Sequence, residues 1–102
     1  MARDVGVALT RSLTGAAARA GCPVDVTDSD WRRWASATFS GARHCLSLSG
    51  SPSAAFDAWL DRLGEVDVPV PGHLVADLTV SAVRRRDARI EVDLEVLTVE
   101  AD

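Results

Sequence analysis

Apolar and polar residues alternate with the period of a β-strand along Leu74–Val83 and again along Ala88–Val99. Folding this segment about Arg85-Arg86-Asp87 sets Ala82 opposite Ile90, Val80 opposite Val92, Leu78 opposite Leu94 and Ala76 opposite Val96. Every pair is apolar, so the two strands are expected to share one buried face in one register. Beyond Val96 the apolar set moves to Leu97 and Val99, which points to a bulge or to a second buried face. The other side of the hairpin carries Asp77, Thr79 and Ser81 against Glu95, Asp93 and Glu91, with Asp77 directly opposite Glu95. Like charges so placed cost up to about 1 kcal/mol unless they are fully solvated or offset by an arginine, a cation or a partner chain.

A different period governs residues 3–20. Val5, Leu9, Leu13, Ala16, Ala17 and Ala20 recur at steps of three and four, which predicts a helix with an Ala-rich buried face. Gly21 and then Pro23 stop it. Val24 and Val26 alternate with polar neighbours as in a short strand, and Thr27-Asp28-Ser29-Asp30 reads as a turn or helix cap. Trp31 and Trp34 are spaced for one helical turn. Trp34–Phe39 reads as a strand, Ser40-Gly41 as a turn and Arg43–Ser49 as the partner strand. A second helix is expected with Ser51 as cap, Pro52 in its first position, and Phe56, Trp59, Leu60 and Leu63 as its apolar stripe. Gly64 ends it, and Glu65–Gly72 is a proline-containing loop.

The order is therefore αββαββ. The economical fold is α+β: a two-layer α/β sandwich in which a mainly antiparallel sheet of four to five strands carries both helices on one face. A shift of 46 residues aligns Pro23-Val24 with Pro69-Val70 and Ala42-Arg43 with Ala88-Arg89, a faint sign of internal repetition. With 102 residues, 47% hydrophobic and 25% charged, the chain suits a single domain over 1–102 with one core. It contains no apolar run long enough to span a membrane, and Asp4 and Arg11 break up any signal-peptide core. A cytoplasmic protein follows as the expectation, with Cys22 and Cys45 as reduced, buried thiols.

The net charge of −4 argues against a protein built to wrap nucleic acid. The one basic cluster is Arg84, Arg85, Arg86 and Arg89 at the hairpin tip. It reads as a solvated tip that blocks edge pairing, or as a grip for phosphate or an acidic partner. His44 and Cys45 are neighbours on a strand and so point to opposite faces. The remaining nucleophile–base pairing is Cys45 with His73. No metal-ligand spacing, glycine-rich phosphate loop or serine-nucleophile motif is present, so neither a cofactor nor a metal is expected and catalysis is not the favoured reading. The favoured reading is a small module that binds itself or another protein through a strand edge or the polar sheet face. The long strand at Ala88–Val99 would leave backbone groups needing a partner if it lies at an edge, and Asp77, Glu95, the arginine tip and an exposed Trp31 are the candidate contact residues. A nucleic-acid or phosphate-binding module acting through the tip is the alternative, and a small enzyme or ligand carrier the second.

Overall fold

The computed structural model describes residues 4–101. The elements run α1 (Val5–Arg19), β1 (Val24–Ala35), β2 (Ser40–Gly50), α2 (Ala54–Asp61), a 3₁₀ turn (Leu63–Glu65), β3 (His73–Arg86) and β4 (Arg89–Glu100). The four strands form one antiparallel sheet in the order β1-β2-β4-β3. The fold is thus α+β with four strands. Each αββ half contributes a hairpin, and the two hairpins meet along the central antiparallel pair β2–β4.

Helix α1 begins where Asp4 accepts hydrogen bonds from the Gly6 amide at 2.9 Å and the Val7 amide at 3.4 Å, satisfying two of the free N–H groups of the first turn. It ends in a Schellman motif. Gly21 takes the left-handed conformation (φ 83°), its amide reaches the Ala18 carbonyl, and the Cys22 amide reaches Ala17.

Strand β1 departs from the sequence expectation. Thr27–Asp30 is no turn and Trp31–Trp34 no helical turn: the strand runs unbroken from Val24 to Ala35, absorbing Thr27 as one extra residue between Val26 and Asp28. Its polarity marks an edge strand that is exposed along most of its length, rather than a loop. The reversal lies at Ser36–Phe39 and not at Ser40-Gly41. The Ser36 amide donates to the Phe39 carbonyl at 2.7 Å, and the Ser36 hydroxyl accepts from the Phe39 amide at 3.1 Å.

The C-terminal hairpin keeps its expected buried residues on β4 but not its expected register. The tip is the two-residue turn Asp87-Ala88, with Asp87 at φ 52° and Arg86 facing Arg89. Two register shifts in β3, between Val75 and Asp77 and between Val80 and Ala82, then pair Val80 with Leu94 and Leu78 with Val96. The slip is two residues there, so Leu78 and Val80 keep their face. Ala76 and Ala82 leave it: Ala76 falls at the first irregularity, and Ala82 pairs with Asp93. Asp77 pairs with Leu97, and Glu95 with Thr79, so the expected Asp77–Glu95 opposition does not arise. Nor is β4 an edge; the edges are β1 and β3.

Alternate residues of β2 and β4 build the core. Leu46 faces Leu94 and Leu48 faces Val92, and all four are buried with Leu9 and Leu13 of α1, Phe56 and Trp59 of α2, and Leu63. Helix α2 is capped by Ser53, not Ser51: the Ser53 hydroxyl accepts from the Phe56 amide at 3.0 Å, leaving Pro52 outside the helix. A Cβ at Gly50 would overlap the Phe56 ring, so this glycine lets the start of α2 close onto the end of β2. Cys22 is buried, whereas Cys45 is exposed, against expectation, because it sits on the opposite face of β2 from the core.

Candidate functional site: the outer face of the sheet

The sheet face away from the core carries Arg43, Cys45 and Glu95 as exposed residues. Strand pairing arranges it in rows across β1-β2-β4-β3. At one end stand Asp25, Ser49, Glu91 and Arg84, and at the next position Asp28, Ser47, Asp93 and Ala82. In the middle come Asp30, Cys45, Glu95 and Thr79, then Arg32, Arg43, Leu97 and Asp77. At the far end stand Trp34, Gly41, Val99 and Leu74.

The first end is saturated with internal partners. Arg84 grips Asp93 with both terminal nitrogens, at 2.8 and 3.0 Å, and the Ser47 hydroxyl donates to the same carboxylate at 2.8 Å. These hydrogen bonds, Arg84 first and Ser47 second, hold the Asp93 carboxyl down to about 2, and Asp93 in turn raises Arg84. Arg86 lies 3.1 Å from Glu91, Arg89 3.2 Å from Asp25, and Arg85 3.8 Å from Asp57. Arg89 also donates to Ser49 at 2.8 Å. Every arginine of the tip cluster therefore faces a carboxylate of its own chain, which reduces the free positive charge it could offer to phosphate.

The other end differs. Arg32 stands directly opposite Arg43, and neither has an ion-pair partner among the described residues. Leu74 is 64% exposed, and Phe39, in the β1–β2 turn, is 59% exposed. Trp34, Leu97 and Val99 are half-buried. The indole Nε1 of Trp34 is sheltered from solvent and has no hydrogen-bond partner. The shift of the apolar set to Leu97 and Val99 was thus legible as a second face. Trp34, Phe39 and Leu74 carry no such signal, because their common end depends on a β1–β2 turn and a β3 register that periodicity does not reveal.

The remaining candidates lie elsewhere. Trp31 sits on the inner side of β1, its Cδ1 close against Gly6 of α1 and its ring centroid 6.2 Å from that of His44; it is 36% exposed. His44 is buried. Its Nε2 lies 3.0 Å from Thr98 Oγ1, which gives its own hydrogen to the Ala42 carbonyl, so Nε2 is the donor. Burial pushes the His44 imidazole below its usual range, His73 pushes the same way, and Asp4 opposes them.

His73 follows the inner side of β3 and Cys45 the outer side of β2, so the sheet separates the pair that could have formed a nucleophile and base. Among the described residues no group of three or more His, Cys, Asp or Glu is placed to hold a metal. A cleft of about 740 Å³ lies between the end of α1 and α2. Its walls are Ala16, Ala20, Ala55, Ala58 and Trp59, with Arg19, Arg62, Glu65 and Asp67 also lining it. It holds neither Cys45 nor a histidine, so it lacks the candidate nucleophile and its bases. Among the described residues no helix is long and apolar enough to cross a membrane. Comparison of the chain with protein-family models, with curated proteins and with solved structures found no match.

Proposed function

We propose that this protein is a non-catalytic, cytoplasmic interaction module. In this reading it is a two-layer α/β sandwich whose helices serve the inner face of the sheet and whose outer face receives another protein chain. The observation that carries the reading is the apolar end of that face, where the exposed Leu74 shares a row with half-buried Trp34 and Val99, next to Leu97, and the exposed Phe39 lies in the β1–β2 turn at the same end. Contiguous apolar surface framed by charged side chains is the usual composition of a protein contact, with aromatic residues as its anchors. Asp77 and Glu95 belong to this face as its polar frame. The arginine tip, already engaged with carboxylates, contributes solubility and shape more than recognition.

A photo-activatable side chain introduced at Leu74 tests the proposal in the cells that make the protein. The expected result is a discrete protein adduct from position 74 and none from the same probe at Val7 on α1. Adducts of equal yield from both positions, or none from either, would contradict it.

A further inference from the structure

We infer that the outer face takes a second copy of this chain, mated face to face about a two-fold axis that runs along the strands between β2 and β4. The inference rests on the reading of this face as a contact surface and names its occupant.

The argument is one of self-complementarity. A two-fold axis along the strands keeps each row level with itself and reverses the strand order, so β1 of one copy lies over β3 of the other. The row Trp34, Gly41, Val99, Leu74 then places Trp34 over the partner's Leu74, and Val99 level with the partner's Gly41. The next row places the unpaired Arg32 over the partner's Asp77, and Arg43 beside the partner's Leu97. Both contacts occur twice by symmetry. An axis across the middle of the strands would instead set the apolar row against the row of Asp25, Ser49, Glu91 and Arg84, leaving Trp34, Val99 and Leu74 with no apolar counterpart. The area is also of the right order. Strands of 11–14 residues, four abreast, present a face on the order of 700 Å² at about 4.8 Å between strands and about 3.3 Å per residue. A stable complex buries roughly 800 Å² per partner.

Sedimentation velocity between about 1 and 100 µM tests the inference, with thermal unfolding of each variant confirming that it folds. The native chain is expected to dimerise within this range. Arg32→Asp and Asp77→Arg are each expected to weaken the dimer by about tenfold or more, because each creates two like-charge contacts. The double variant is expected to recover native association. Arg32 and Asp77 lie on the two opposite edge strands of one sheet, so recovery cannot come from a contact within the chain. Cys45, the one exposed thiol, lies in the row next to Arg32 and Arg43. Facing sheets stand about 10 Å apart, so a short bismaleimide should link two native chains through Cys45. A monomer at all concentrations, or a dimer indifferent to both charge reversals, would overturn the inference. If that happens while the probe at Leu74 still captures a chain of foreign mass, the contact face stands and only its occupant is wrong.

Discussion

The two faces of this sheet are built from the same four strands and finished in different ways. The inner face is closed by the chain itself: Leu46, Leu48, Val92 and Leu94 meet α1 and α2, and its one buried imidazole is bonded to Thr98. The outer face is closed only at one end, where Arg84, Asp93 and Ser47 satisfy one another. Its far end leaves Leu74 and Phe39 in water and Arg32 against Arg43. Folding requires the inner face. The exposed end of the outer face has no such requirement behind it, and on that difference rests our proposal that it receives another chain.

Substitutions at matched positions should expose the contrast. On the inner side, Trp59→Ala is expected to cost roughly 3–5 kcal/mol and Leu94→Ala about 2–5 kcal/mol in denaturant unfolding, because both truncate filled core sites. A loss below about 1 kcal/mol at Leu94 would mean that the inner face is not the packed one. Leu74→Lys should change stability by no more than about 0.5 kcal/mol under dilute conditions, although it too replaces a leucine on the sheet.

Acid separates the two polar networks. His44 has a folded pKa below the ordinary 6.5, so below that pH the unfolded chain binds a proton that the folded chain resists. Stability is expected to be complete above 6.5 and to decline as pH falls from 6.5 towards the depressed folded value. His44→Gln should flatten that part of a pH–stability curve, and a curve unchanged by the substitution would contradict the buried neutral imidazole. On the outer face, Asp93 is lowered from 3.8 to about 2. Its contribution is therefore present above 3.8 and is lost as pH falls from 3.8 towards 2. Asp93→Asn should remove this lower step alone. The smallest effect is expected at Arg85→Glu, where an exposed pair with Asp57 at 3.8 Å is lost; the unfolding midpoint should barely move.

Much of the inner face was readable before the fold was known. The period of two in Ile90–Val96 and the three–four spacing in α1 report burial directly, and burial is what dominates the energetics. Register was less legible. The irregularities at Thr27, Ala76 and Ser81 are set by how the twisted strands meet, and a slip of two residues preserves the alternating pattern that would have revealed it. Edge strand β1 read as turns because its exposed positions are polar, and Ser51 and Ser53 are equally good caps until the closure of Phe56 onto Gly50 selects one. The apolar end of the outer face was legible only through Leu97 and Val99. Its other members come from two edge elements that sequence distance holds apart.

The exposed thiol of Cys45 offers the most direct measurement of the central claim, because it lies in the middle of the outer face. Its alkylation rate can be compared between the dilute purified protein and the cells that make it. The account predicts slower labelling in cells for the native chain and a return to the free rate for Leu74→Lys. Equal rates in both settings, unaffected by Leu74→Lys, would contradict it.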